Sequence, residues 1–189
     1  MTILECVNER RSRRLYLNKD ISNKVLEVLL KTAIRAPFGG SPKPKCQVFE
    51  AIVIRDKSII EKLALHYEDR QFMKMAPVVI ACCANKNNDP DYKEWLISAS
   101  LSIQNILIAA ESQNLGSCFI TCFMHNEKHK EDKKNLRDIL NLPKYIELVG
   151  LISLGYKVEQ EELKTKILRE YDDIVSYETY GNCELVKHS

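Results

Sequence analysis

The apolar run P-V-V-I-A-C-C-A, residues 77–84, decides the fold class of this chain. It contains no charged side chain, and a continuous apolar run of this length is typical of a strand buried on both faces of a sheet. A similar run, E-L-V-G-L-I-S-L-G-Y, covers residues 147–156. Two further segments rich in β-branched and aromatic residues, 46–55 and 117–123, complete a set of four predicted strands. We place 46–55 and 77–84 at the centre of the sheet.

Segments with helical periodicity separate these strands. The predicted helices cover the first ten residues, 22–35, 57–66, 91–114 and 131–140, whereas the stretch up to Met75 has no regular pattern. Asp91 is expected to cap the long fourth helix, with Glu94 in its first turn and Gly116 just past its end. Alternating helices and strands over 189 residues predict a single domain covering 1–189.

Composition and charge exclude several classes of protein. Hydrophobic residues make up 45% and the formal net charge is +2, so nothing in the overall charge attracts nucleic acid or membrane. Charged residues interrupt the N-terminus before an apolar signal region forms, and no apolar run approaches the roughly 20 residues that span a bilayer. We expect a cytoplasmic protein that binds neither nucleic acid nor membrane.

The seven cysteines are an odd number, which indicates reduced thiols. Cys118, Cys122, His125 and His129 superficially resemble metal ligands. Only two residues separate Cys122 from His125, however, whereas a zinc finger needs a loop of about a dozen. Cys118 and Cys122 also alternate as one face of a strand would, so we predict no metal site.

The usual catalytic motifs are absent from the sequence. It contains no G-x-G-x-x-G, G-x-x-x-x-G-K-[ST], G-x-S-x-G or H-E-x-x-H, and none of the four histidines has a Ser or Cys partner at triad spacing. We therefore predict no catalytic side chain. A flavin enzyme needs none, because the cofactor carries the hydride chemistry and the protein positions it.

A basic cluster, R-R-S-R-R-L-Y, occupies residues 10–16. Arginine guanidinium groups can grip a phosphate through two hydrogen bonds while a serine hydroxyl adds a third, so Arg10, Arg11, Ser12 and Arg14 suit a bound phosphomonoester. The same charges could instead form a solvated surface or a patch for nucleic acid. The cluster alone leaves these alternatives open.

This cluster resembles the R-R-S-x-R-x-F/Y signature of the nitroreductase family, and further segments match that family in order and spacing. They are A-P-F-G-G-S-P-K-P at 36–44, A-P-V-V-I at 76–80, N-L-G-S-C-F-I-T-C-F at 114–123 and E-Y-D-D-I-V-S-Y-E-T-Y-G at 170–181. Together they cover nearly the whole chain. No single segment is specific, but five in register are.

The resemblance implies an α+β fold, with a central, mostly antiparallel sheet of four or five strands flanked by helices, in an intertwined homodimer. The arm formed by residues 157–189 would extend onto the partner subunit and add a strand to its sheet. Tightly bound FMN would take reducing equivalents from NAD(P)H and pass them to an electron-poor small molecule, such as a nitroaromatic or a quinone, in a ping-pong reaction.

The resemblance also assigns the cofactor-binding residues. Arg10, Ser12 and Arg14 would contact the flavin phosphate and pyrimidine edge, with Arg11 at the ribityl chain. The partner subunit would supply its Pro37–Phe38–Gly39 loop and Ser41. The strand residues Phe119, Ile120, Thr121 and Cys122 would pass over the ring, with the Thr121 amide donating to flavin N5. Lys164, Lys166 or Arg169 would complete the phosphate site from the arm.

Several residues depart from the family pattern. Ser41 replaces the usual Asn, Lys43 the usual Gln, Lys45 the usual Trp, and Phe38-Gly39 a small polar pair. These departures leave the substrate open. Alternative functions are a flavin-binding or sensing protein without turnover, a specialised branch such as a dehalogenase, flavin destructase or enone reductase, and, more distantly, a nucleic-acid adaptor.

Overall fold

A computed structural model of the chain describes residues 1–39, 46–89, 94–122, 128–159, 161–163 and 165–182. The α-helices are α1 (Ile3–Glu9), α2 (Asn23–Ala33), α3 (Lys57–Leu65), α4 (Trp95–Ser112) and α5 (Lys128–Ile139). The strands are β1 (Phe49–Ile54), β2 (Val78–Asn85), β3 (Leu115–Thr121) and β4 (Ile146–Tyr156). Short 3₁₀ helices occupy Glu68–Met75, Lys86–Asn88 and Tyr171–Asp173.

The strands form one sheet in the order β1-β2-β4-β3, and each neighbouring pair is antiparallel. This confirms the α+β fold with an antiparallel sheet. The two long, mainly apolar runs form β2 and β4. These strands lie in the centre of the sheet and are buried along nearly their whole length. The central position predicted for 46–55 is wrong, because β1 is an edge strand. Its exposed residues, among them Glu50 and Val53, suit an edge.

The core has two layers, one on each face of the sheet. Successive residues of a strand point to opposite faces, so Ile80 packs with α2 and α4 while Val79 packs with α3 and α5. Leu29 and Ile106 are fully buried in the first layer, and Leu63 is fully buried in the second. Each such side chain contributes about 1.5–3 kcal/mol relative to an exposed position. The helices thereby fix the sheet on both faces.

The ends of α4 differ from the sequence prediction. Glu94 occupies the N-cap position rather than the first turn, and the predicted cap Asp91 lies outside the described residues. At the other end Asn114 adopts φ 56°, while Gly116 lies inside β3, opposite Gly155. Asparagine is one of the few residues that tolerate the left-handed region, so it ends this helix in place of glycine. None of the described helices is long and apolar enough to cross a lipid bilayer.

The stretch before Met75, predicted as irregular, is a 3₁₀ helix from Glu68 to Met75 with a kink at Arg70. A 3₁₀ helix places side chains three residues apart on one side. Periodicity of the α-helical kind is therefore absent, which explains why the segment looked irregular. Phe72, which follows the kink, lies beneath the Arg14 guanidinium of the N-terminal segment.

Candidate functional site

The basic N-terminal segment, residues 10–17, runs along the edge of the sheet. Helix α1 is closed at its start by a capping box between Thr2 and Glu5, and it ends at Arg10. The chain then becomes extended. The Arg13 amide donates to the Ser117 carbonyl on β3 at 2.9 Å, and the Leu17 amide donates to the Tyr156 carbonyl on β4 at 3.0 Å. These bonds fix the backbone that carries the basic side chains.

Tyr16 anchors the same segment through its side chain. Its hydroxyl donates to the Arg13 carbonyl at 2.7 Å and lies 2.7 Å from Oγ of Ser153, a fully buried residue of β4. Burial raises the pKa of the Tyr16 hydroxyl well above its ordinary value, so it remains a donor. The residue beneath the ring is Gly155, where a Cβ would lie 2.6 Å from the Tyr16 Cβ. Gly155 therefore permits the close approach of this segment to β4.

Next to the segment lies a cleft of about 700 Å³ between the N-terminal segment and the beginning of the C-terminal arm. The residues that line it are Arg10, Arg11, Ser12, Arg14, Leu15, Glu161, Glu162, Leu163 and Lys166. All four predicted N-terminal residues and one of the predicted arm residues therefore meet at one site. Its lining carries four cationic and two acidic side chains, a net excess of two positive charges.

The positive charge extends towards β3. The Arg14 guanidinium lies over the Phe72 ring, 5.5 Å from its centroid. Burial raises the pKa of the Cys118 thiol, and the positive charges of Arg14, Arg70 and Arg10 partly oppose that increase. These cations therefore converge on the same edge of the sheet. Sequence analysis missed Arg70 and Phe72, since no motif marks their 3₁₀ helix.

The outer edge of β3 presents backbone donors beside these cations. The Cys122 amide donates to the Val149 carbonyl of β4 at 3.0 Å. Amides of successive residues in an antiparallel ladder point alternately towards and away from the neighbouring strand. The amides of Thr121 and Phe119 therefore point away from β4, to the edge on which Arg13 bonds Ser117.

The four residues predicted to pass over the flavin ring, three in β3 and Cys122 directly after it, divide into two pairs. Phe119 and Thr121 are exposed, whereas the side chains of Ile120 and Cys122 point into the core. Burial raises the pKa of the Cys122 thiol to about 12, and its sulfur lies 3.0 Å from the Tyr67 hydroxyl. Among the described residues, no group of three or more His, Cys, Asp and Glu side chains could hold a metal ion. Ile120 and Cys122 can contribute to a ligand site only through their backbone.

The predicted loop residues Pro37, Phe38 and Gly39 lie elsewhere in the same subunit. The Gly39 amide donates to Oγ of Ser98 on α4 at 3.2 Å, and a Cβ at Gly39 would lie 2.2 Å from a Glu94 carboxylate oxygen. None of the three residues lines the cleft. Ser41, the fourth predicted residue of this loop, lies outside the described residues.

The arm contributes unequally to the cleft. Lys166 lines it, but Arg169 is exposed and donates to the nearby Asp173 carbonyl. Lys164 lies outside the described residues. Glu161 and Glu162 also line the cleft. Sequence analysis gave them no role, because they belong to a run of charged residues without any spacing signal.

The chain matches one family model and several known proteins. The model of the nitroreductase family matches residues 64–156. A protein of Archaeoglobus fulgidus with the provisional name NADH dehydrogenase/NAD(P)H nitroreductase is 30% identical over 160 residues, covering 84% of this chain and 87% of the relative. The Bacillus subtilis FMN reductase is 22% identical and covers 98% of this chain and 78% of the relative.

The fold is also similar to solved structures. An FMN-dependent nitroreductase from Clostridium difficile superposes with a TM-score of 0.78 at 25% identity, covering 94% of this chain and 99% of that one. A crystal structure of a nitroreductase-like protein from Desulfovibrio desulfuricans, described as a complex with FMN, superposes with a TM-score of 0.78 at 21% identity and covers 95% of this chain and 98% of that one. The similarity therefore extends over nearly the whole chain.

Proposed function

The chain belongs to the nitroreductase family, and from this membership we propose that it is an FMN-dependent oxidoreductase that takes reducing equivalents from NAD(P)H. The acceptor is an electron-poor small molecule such as a nitroaromatic or a quinone. FMN is named in the relatives from Bacillus subtilis and Clostridium difficile, and NAD(P)H in the relative from Archaeoglobus fulgidus. The proposed reaction follows a ping-pong course, in which reductant and acceptor use the same site in turn.

The observation that carries this proposal is the basic cleft. A phosphomonoester has a charge close to −2 at neutral pH, and the lining has a net excess of two positive charges. Arg10, Arg11 and Arg14 supply guanidinium donors, Ser12 a hydroxyl and Lys166 an ammonium group. These donors suit the phosphate end of FMN. Bound there, FMN would accept a hydride from NAD(P)H and pass the electrons on.

The edge of β3 supports a position for the flavin ring beside the same cleft. The Thr121 amide points outwards from the sheet, so it can donate a hydrogen bond to flavin N5 in the bound protein. A fixed backbone donor of this kind costs no reorganisation when charge develops on the acceptor atom. Ile120 and Cys122 hold the strand in place from the core side.

A homodimer completes the proposed site. Pro37, Phe38 and Gly39 do not line the cleft of their own subunit, which agrees with our assignment of these residues to the cleft of the partner. The exposed apolar residues of the arm, including Ile167 and Tyr171, agree with an arm that lies on a second subunit. The six cysteines in the described residues are free thiols, which agrees with a cytoplasmic location.

The proposal is tested on the purified full-length chain. We expect a visible flavin absorption band, release of about one FMN per chain on denaturation, and oxidation of NADH or NADPH that depends on an added nitroaromatic or quinone. A colourless protein that takes up no added FMN would refute the proposal. Full flavin occupancy with negligible turnover on every acceptor would instead identify a binding protein.

A further inference from the structure

Glu161 connects the two halves of the basic cleft. One oxygen of its carboxylate accepts the Arg14 amide at 2.8 Å and the Leu15 amide at 3.3 Å. The other oxygen lies 3.7 Å from the Arg13 guanidinium. Glu161 thus makes three contacts with three successive residues that precede it by about 147 positions in the sequence.

The carboxylate is nearly inaccessible to solvent, with only 7% of the side chain exposed. A buried charge is costly unless hydrogen bonds and an opposite charge compensate for it. The amides of Arg14 and Leu15 compensate one carboxylate oxygen, and the Arg13 guanidinium, 3.7 Å away, offsets the charge of the other oxygen, which is buried without a hydrogen-bond partner. The contact therefore favours a carboxylate, since a neutral side chain would deprive Arg13 of this opposite charge.

The contact also separates the arginines of the basic cluster by role. Arg10, Arg11 and Arg14 line the cleft, whereas Arg13 does not and faces Glu161 and a neighbouring depression beside Tyr156 and Lys157. Glu161 pairs with the one arginine of the cluster that does not line the cleft. Its backbone bonds to Arg14 and Leu15 leave the Arg14 side chain available to the cleft.

We propose that Glu161 is a positioning residue for cofactor binding, which fixes residues 13–15 and the beginning of the arm so that Arg14 and Lys166 face the same phosphate. The inference rests on the proposed function for the identity of the ligand. In this role Glu161, one of the two acidic residues that line the basic cleft, contacts the protein rather than the cofactor.

The test compares Glu161→Ala and Glu161→Gln with Glu159→Ala. Glu159 is an exposed acidic residue on the same segment that does not line the basic cleft, which makes its substitution a matched control. FMN affinity is measured by titration of flavin fluorescence. Hydrogen exchange of the Arg14 and Leu15 amides is measured separately, in protein stripped of flavin.

We expect Glu161→Ala to weaken FMN binding roughly tenfold or more, since hydrogen bonds to a charged group are lost. Glu161→Gln, which retains an acceptor oxygen but loses the charge, should have a smaller effect. Exchange of the two amides should accelerate in Glu161→Ala and remain unchanged in Glu159→Ala. Glu161→Ala should also weaken FMN binding less when Lys166 is already alanine, because positioned residues are coupled.

Two outcomes would overturn the role of Glu161. One is Glu161→Ala with FMN affinity within twofold of the wild type. The other is unchanged exchange at Arg14 and Leu15, which is decided without any flavin. A wild-type chain that takes up no FMN would refute the proposed function, whereas the exchange measurement would still decide whether Glu161 holds the segment.

Discussion

Residues 10–17 and residues 165–182 both carry cations assigned to one site, but they are held in different ways. The first segment bonds to β3 and β4 through its backbone and through Tyr16. In the second, hydrogen bonds join near neighbours, such as the Tyr177 amide and the Asn182 carbonyl at 2.7 Å. Ile167 in this segment is 92% exposed. One half of the cleft is therefore preorganised by the sheet, whereas the sheet does not fix the half that the arm contributes.

This difference has an energetic reason. A backbone already fixed by a sheet loses little entropy when a ligand binds, whereas an exposed segment must be ordered at that moment. The N-terminal cations should therefore account for most of the ligand affinity. The arm should contribute less per residue, and in the proposed homodimer its contribution should depend on the second subunit.

The largest expected effect comes from removing the preorganised cations. Arg10→Ala combined with Arg14→Ala should weaken FMN binding roughly 100-fold or more, since each charge-assisted hydrogen bond is worth about 1.5–3 kcal/mol. Flavin fluorescence titration measures the loss. Lys24→Ala with Arg35→Ala removes the same charge from exposed positions outside the cleft and should change little. Full retention of flavin by the first variant would contradict the phosphate assignment.

Deletion of the arm should have an intermediate effect. A chain that ends before Lys164 should bind FMN about tenfold more weakly, through the loss of Lys166, and should shift from dimer to monomer. Light scattering after size exclusion reports the mass, and titration reports the affinity. A chain that ends after Asn182 is the control for shortening as such. The exchanged arm is refuted if the shorter chain remains dimeric and holds flavin fully.

A smaller change tests how the sheet holds the N-terminal segment. Tyr16→Phe removes the bonds to Ser153 and to the Arg13 carbonyl, and leaves the buried Ser153 hydroxyl only its longer bond, 3.5 Å, to the Cys118 carbonyl. The free energy of unfolding should fall by about 1–3 kcal/mol, and FMN binding should weaken severalfold. Denaturant melts and flavin titration measure the two effects. Tyr145→Phe, at a side chain 44% exposed, is the matched control and should affect neither.

The smallest effect at neutral pH belongs to the sheet thiols. Burial raises the pKa of Cys83 and of Cys122 from an ordinary value near 9 to about 12, so the folded state favours the neutral thiol. The unfolded chain therefore ionises first as the pH rises. The free energy of unfolding should be flat below about pH 8.5 and fall above it by about 1.4 kcal/mol per pH unit for each thiol.

Denaturant melts between pH 7 and 10 measure this slope. Cys83→Ala with Cys122→Ala should make it shallower. The chain without its arm should retain the wild-type slope, because both thiols lie in the part of the molecule that the sheet holds. The opposite result would be a pH slope that changes when the arm is deleted but not when the two cysteines are replaced. It would contradict the conclusion that the sheet, and not the arm, holds this part of the molecule.

The sequence was sufficient to predict those features that local pattern controls. Unbroken apolar runs predicted β2 and β4, and helical periodicity placed α2 and α3 within two residues of their observed bounds. The edge position of β1 could not be predicted, because neighbours in a sheet are chosen by long-range packing. The end of α4 was predicted from Gly116, whereas the positive φ of Asn114 shows that this asparagine ends the helix, which only the backbone geometry reveals.

For the site, too, the residues in a local motif were predictable, and those that depend on a long-range contact were not. Arg10, Arg11, Ser12 and Arg14 belong to one short motif and were predicted to share a site, and the structure brings all four together in the cleft. Their contact with FMN remains a prediction. Lys166 was one of three alternatives in a charged run, and the structure places it in the cleft while Arg169 lies outside. Glu161 gave no signal, because its role arises from a contact across about 147 positions. The assignments to Pro37, Phe38, Gly39 and Thr121 remain predictions about the bound dimer.

The cleft is built from the two ends of the chain, and this has a consequence for folding. Arg13 bonds a strand that is synthesised some hundred residues later, and Arg14 bonds Glu161 later still. Closing such long loops is slow, because the loss of chain entropy is not offset by stabilising contacts until the intervening sheet has formed. The cleft is therefore among the last parts of the molecule to form. A chain that is interrupted before the arm lacks half of the cleft, so ligand retention would report that the arm has been synthesised and has reached the N-terminal segment.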